Sequence, residues 1–117
     1  MRYMLWMAGD GTDEPSPDEI AAMPEFVAWE AELAARGVDH RGVRLRPPGE
    51  AVTVRVRGGR TLVTDGPFAD TKEHIGGYEI IEVANLDEAI EIAAGHPASA
   101  GGAIEIRPFP EDPEDES

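Results

Sequence analysis

Over residues 1–7 the chain alternates. Tyr3, Leu5 and Met7 fall on one side of an extended segment, and Met4 and Trp6 fall with Arg2 on the other. Apolar residues on both sides predict a central strand covered on both faces. Residues 10–17 are rich in Gly, Asp and Pro and read as a loop. Ser16-Pro17-Asp18-Glu19 has the form of a capping box with proline at the first helical position. Pro24 then interrupts: either it kinks one helix, or a short turn ends near Met23 and a second helix starts at Pro24. The helical pattern runs to about Arg36, with Gly37 as its stop. Ala22, Phe26, Trp29 and Leu33 form one apolar stripe, flanked by Met23, Val27 and Ala34, which predicts a wide core face.

Residues 38–46 read as a strand ended by Pro47-Pro48-Gly49. Val52, Val54 and Val56 alternate with Thr53, Arg55 and Arg57, the period of a half-exposed strand. Gly58-Gly59 and a second strand over 60–64 complete a tight hairpin. Residues 78–83 form a further strand. Asn85-Leu86-Asp87-Glu88 opens a helix whose apolar set is Leu86, Ala89, Ile90 and Ala93, closed by Gly95. The last strand covers 103–107, with Ile104 and Ile106 facing in.

With the hairpin set aside, the order is β-α-β-β-α-β, the split βαβ arrangement, in one α+β domain over residues 1–109. Both helices of such a sheet lie on one face. The chain has no spare helix for the other, so a second copy of the sheet is the expected cover. This predicts a homodimer with an enclosed space between sheets.

Composition narrows the function. The formal net charge is -14, and residues 110–117, PEDPEDES, form an acidic tail expected to be disordered. The domain stays acidic without the tail, which argues against nucleic acid as a partner. There are no cysteines, which excludes disulfides and thiolate metal sites. The N-terminal segment reads as a strand rather than a leader. No apolar stretch approaches the ~20 residues that span a bilayer, so a cytoplasmic protein without membrane contact is expected.

The densest motif runs from Thr64 to Tyr78: TDGPFADTKEHIGGY. It resembles the signature of the DGPF-motif branch of the YCII-related family. The resemblance extends through MRYMLWMAGD, VTVRVRGGRTLVTDGPFADTKE, GGYEIIEVANLDEAIEIAAGHP and GGAIEIRPF, leaving only the acidic tail outside. It implies a ferredoxin-like fold that dimerises as an α+β barrel. It also implies a pocket with a His–Asp pair and, for some relatives, a link to alternative sigma factors of the extracytoplasmic type. The family histidine is expected near the first strand and helix, where this chain has none. Its histidines are His40, His74 and His96. The pair therefore does not carry over intact, and Asp65 is the only half with a candidate position.

Each candidate residue has a plain structural reading beside the functional one. Asp65 caps a turn or serves as a pocket acid, while Gly66 and Pro67 are accounted for by a turn. Lys72, the only lysine beside nine arginines, pairs with Glu73 on the surface or binds an anion at the pocket mouth. Tyr78 packs at a strand start or touches ligand. His96 sits at a helix C-terminus, stabilised by the dipole, or acts as a base. Glu30 falls inside the apolar arc of the first long helix, so it either snorkels to solvent or lines a cavity. Arg44, Arg46, Arg55, Arg57 and Arg60 read as an exposed strand face or a dimer contact. No local histidine pairing has metal-ligand spacing, and no cofactor fingerprint is present.

The leading expectation is a dimeric domain that binds a small molecule in a pocket built around Asp65, Lys72, Tyr78 and His96, with Glu73 and Glu30 as further candidate ligand contacts. If it is catalytic, Asp65 or His96 is the general base. The sequence does not decide whether it is an enzyme. Two alternatives remain: an accessory or regulatory module that binds a protein partner in sigma-factor-dependent transcription, and a purely structural dimer.

Overall fold

The structure is a computed structural model that describes residues 1–9, 16–66 and 74–110, the side chain of His74 excepted. The element order is β1 (Arg2–Gly9), α1 (Pro17–Ala22), α2 (Pro24–Ala35), β2 (Asp39–Arg44), β3 (Val52–Arg57), β4 (Arg60–Asp65), β5 (His74–Glu82), α3 (Leu86–Gly95), α4 (Ala98–Gly101) and β6 (Ala103–Pro108). The loop expected over 10–17 and the acidic tail from Glu111 fall mostly or wholly outside the described residues.

β1, β2, β5 and β6 form one antiparallel sheet in the order β2-β5-β1-β6. β1 sits between β5 and β6, as its double-sided apolar pattern requires. Sequence-distant strands pair in this sheet, so α1 with α2, and α3 with α4, act as the crossovers. The chain is therefore a mixed α+β domain, compatible with a ferredoxin-like arrangement.

Local signals explain the helix boundaries. The Glu19 amide donates to Ser16 Oγ (3.1 Å) and the Ser16 amide to Glu19 Oε1 (3.2 Å), completing the capping box. Pro24 resolves the open alternative: α1 ends at Ala22, Met23 is extended, and α2 starts on Pro24. At α3, Asn85 Oδ1 accepts from the Glu88 amide (2.9 Å). The single turn of 3-10 helix at Pro48–Glu50 and the short α4 were not predicted. Both are about one turn long, too short for a periodic signal.

The core lies on one face of the sheet. Tyr3 and Leu5 of β1, Ile81 of β5 and Val83 meet Trp29 and Leu33 of α2, and Ala89, Ile92 and Ala93 of α3. Leu5 and Ile81 are wholly excluded from solvent. Two expectations about helix faces change. Val27 is 56% exposed, so the buried stripe of α2 is narrower than its sequence pattern. On α3, Ile92 takes the inner position beside Ala89 and Ala93, while Leu86 and Ile90 are about half exposed.

The other face of the sheet carries Met4, Trp6, Val43, Tyr78 and Ile80, all half-buried, with the Trp6 and Tyr78 rings 5.6 Å apart. Among the described residues, the core cluster draws nothing from this face. The hairpin β3–β4 forms its own two-stranded sheet. Gly58 and Gly59 both adopt positive φ (56° and 78°), as the turn chemistry predicts. Its valines are more exposed than expected. Val52, Val54 and Val56 all lie near 60% because no layer of the described residues covers the pair.

Candidate functional site

A cavity of about 390 Å³ opens at one end of the four-stranded sheet. Its floor is the end of β1, the end of β2 and the start of β5. α1 and the first turns of α2 cover it, and the connection from α3 to α4 closes the remaining side. Glycines let these elements approach. A Cβ on Gly76 would stand 3.3 Å from Cγ of Pro17 in α1, and one on Gly77 would stand 2.7 Å from the Val43 carbonyl oxygen. The Gly76-Gly77 pair of the motif is thus a packing device at the cavity wall.

Most of the lining is apolar, including Met7, Ile20, Met23, Phe26 and Ile75. Against it stand four polar groups of interest: Glu79, Glu30, His96 and Arg44. Glu79 is 4% exposed, and its carboxylate lies over Gly42, in the space a Cβ there would occupy. His40, across the β2–β5 pair, brings Nδ1 to 3.5 Å from Glu79 Oε2. Neither atom has a hydrogen-bond partner among the described residues, so both are orphaned. Burial pushes the Glu79 carboxyl upward from its ordinary pKa. His40 opposes that shift, and the field of Glu30 adds to it.

His96 is also 4% exposed. Its ring stands edge-on to Trp29 (4.7 Å) and Phe26 (5.4 Å), and its Nδ1 accepts from the Ala98 amide (3.0 Å). That bond fixes the neutral tautomer with the proton on Nε2. Burial lowers its pKa to about 4, so it remains neutral near pH 7. Arg44 is committed to Asp18 of α1 (2.9 Å).

The predicted site residues separate in space. Glu30, Tyr78 and His96 all line the cavity. Glu30 does so from the exposed rim of α2, combining the two readings given to it. Asp65 ends β4, exposed, and is not among the described residues that line the cavity. Whether Asp65 and His96 lie together was open in the sequence, and of the two only His96 lines this cavity. The hairpin carries Asp65 into a separate sheet, where the Gly66 carbonyl accepts from Thr53 Oγ1 (2.8 Å) and Gly66 turns with φ at 102°. Lys72 and Glu73, with Pro67 and Phe68 of the motif, lie outside the described residues, as does the His74 side chain.

Sequence reasoning missed Glu79 and His40. A signal was present for each. Glu79 shares strand parity with Ile81 and Val83, a carboxylate on the core side of a buried strand. His40 shares parity with Val38, which packs against the core. Among the described residues no group of three or more His, Asp or Glu side chains could hold a metal ion. No described helix is long and apolar enough to cross a membrane.

Comparison with known proteins places the chain. An uncharacterized protein of Rhizobium meliloti (strain 1021) is 43% identical over 68 residues, which covers 56% of this chain and 55% of the relative. The match thus spans about half the relative's length. The model of the YCII-related domain matches residues 1–111, nearly the full length. The chain belongs to the YCII-related domain family.

Proposed function

We propose that this domain binds a small, largely apolar molecule in the cavity at the end of the sheet, with Glu79 as the group that exchanges a proton with it. The observation that carries this reading is a carboxyl, 4% exposed, set in the wall of a cavity of about 390 Å³. That volume is within the range of roughly 300–1,000 Å³ typical of ligand pockets. A carboxyl whose pKa is raised by burial holds its proton closer to neutrality, which is what a general acid requires. His96 and Glu30 keep the roles of ligand contacts in this reading, while the Tyr78 ring stands with Trp6 on the other face of the sheet. Asp65 keeps no such role, because it stands on the hairpin.

A library of small compounds screened by thermal shift tests the proposal. Wild type is compared with Ala21→Trp, whose indole would occupy the cavity beneath α1. Compounds that stabilise the wild type should leave the variant unchanged. A library without hits, or hits that Ala21→Trp retains, would count against the cavity as the site.

The working form in this proposal is a homodimer of the α+β barrel type, with the sheet faces carrying Met4, Trp6, Val43, Tyr78 and Ile80 turned toward each other. The half-buried rings of Trp6 and Tyr78 support it, since such apolar area is costly to leave in water. Light scattering on the eluting protein should give twice the chain mass for the wild type and the single-chain mass for Trp6→Glu. A monomeric wild type would remove the barrel.

A further inference from the structure

The chemistry of the cavity wall selects among ligands. Two carboxylates from different elements reach it, Glu79 from β5 and Glu30 from α2. Among the described residues, the buried Oε2 of Glu79 accepts no hydrogen bond. Its nearest basic neighbour, His40 Nδ1, stands at 3.5 Å without making one. The cations around the cavity do not answer this demand. Arg44 is paired with Asp18 at 2.9 Å, and His96 is held neutral with Nδ1 turned to the Ala98 amide at 3.0 Å. The remaining wall is apolar, and it includes the ring of Phe26, whose face can receive a cation.

Resting on the reading of this cavity as a small-molecule site, we propose that its ligand is a monocationic amine with an apolar body, its ammonium group seated between the carboxylates of Glu79 and Glu30.

An ammonium supplies the donors that Glu79 lacks and screens the repulsion between the two carboxylates. A buried carboxylate facing an unpaired carboxylate is unfavourable, and the same pair with a cation between them forms charge-assisted hydrogen bonds. A ligand carboxylate would add a third negative charge at the same place. A neutral alcohol offers Glu79 one donor and leaves the repulsion standing. Binding of the amine favours the ionised carboxylate, so below the raised Glu79 pKa a proton leaves the site as the amine binds. The proton passes to solvent, and His40 on β2 is the basic side chain beside the carboxyl, with Nδ1 3.5 Å from Glu79 Oε2. Glu79, Glu30 and His40 are thus the titratable groups that face one another here. Affinity for the amine should rise as pH increases through the raised Glu79 pKa. The net charge of -14 also draws cations toward the molecule at long range.

Three probes of one shape distinguish the chemistry: benzylamine, benzyl alcohol and benzoate. Each is titrated into the full chain, with the backbone amide signals of Gly42, Gly76, Gly77 and Glu79 as reporters. Benzylamine should bind about tenfold or more tighter than benzyl alcohol, the scale of a hydrogen bond to a charged group. Benzoate should not bind. Glu79→Gln, checked for an intact amide spectrum, should bring benzylamine down to the level of the alcohol, and Glu30→Gln should do so in part. Equal binding of amine and alcohol, or preference for benzoate, overturns the amine inference while leaving the cavity reading in place. If none of the three moves the cavity amides, both fall.

Discussion

Trp29 offers a test of how the two long helices are tied together. It is 4% exposed on α2, and its indole N–H donates to the Ile92 carbonyl at 2.8 Å. Ile92 lies in the last turn of α3, where carbonyls have no donor within the helix. The amide of His96, which would have closed the ladder on Ile92, donates instead to Ala93 (3.1 Å). The indole therefore satisfies a helix end from a neighbouring helix. Trp29→Phe keeps a ring that can still stack on Phe26 and meet the edge of His96, but it removes the donor. Leaving the carbonyl buried and unpaired costs about 1–3 kcal/mol. The lost ring adds about 1 kcal/mol, for roughly 40 Å³ at ~24 cal/mol per Å³. The expected loss is about 2–4 kcal/mol, a large part of the 5–15 kcal/mol of an ordinary domain. Urea unfolding followed by far-ultraviolet circular dichroism reads it as a lower midpoint at unchanged slope. Val27→Ala, on the exposed side of the same helix, is the control and should stay within about 0.5 kcal/mol of wild type. A Trp29→Phe variant as stable as that control would refute the capping role.

The other predictions concern the cavity and the sheet beneath it. His96, with a folded pKa of about 4 against ~6.5 unfolded, is neutral in both states at higher pH and costs nothing there. As pH falls from 6.5 toward 4 the unfolded chain takes up a proton the folded one refuses, so stability drops by up to about 3 kcal/mol and levels off below. His96→Gln should flatten that slope in unfolding midpoints collected across the range, and an unchanged slope would assign it elsewhere. Gly77→Ala sets a methyl 2.7 Å from the Val43 carbonyl, a backbone atom that cannot turn aside, and should cost about 1–3 kcal/mol in thermal unfolding. A wild-type melt would contradict the β2–β5 pairing at that point. Gly42→Ala meets instead the movable end of Glu79 and should fold, but with the carboxyl displaced. Its side-chain ¹³C titration midpoint should then fall toward that of a solvated glutamate, and an unmoved midpoint would mean the carboxyl does not lie over Gly42.

The fold was legible where one residue type forces one geometry. Pro24 breaks the helix because it has no amide to donate. Gly58-Gly59 turns the hairpin because both residues take positive φ. The alternation of residues 1–7 gives a central strand because both sets of side chains are apolar. The site was legible only in part, because a cavity is made by elements distant in sequence. Glu30 stood out as a charge inside an apolar arc, and His96 as a titratable group at a helix end. Both anomalies are local, and both residues line the cavity. Asp65 drew attention through the density of its motif, but a motif can be dense because a turn needs Asp, Gly and Pro together, with no ligand involved. Glu79 has the opposite profile. It sits in an ordinary strand segment, Tyr-Glu-Ile-Ile-Glu, beside a second glutamate that faces solvent. Its parity with Ile81 and Val83 separates it from Glu82, and the space it needs is provided by a glycine 37 positions earlier on another strand. Gly42 and Glu79 are one feature, a backbone with its Cβ removed and a carboxylate laid over it. Neither residue alone announces it. Reading such a pair from sequence requires the register of β2 on β5 first, so the sheet must be known before its buried acid can be found.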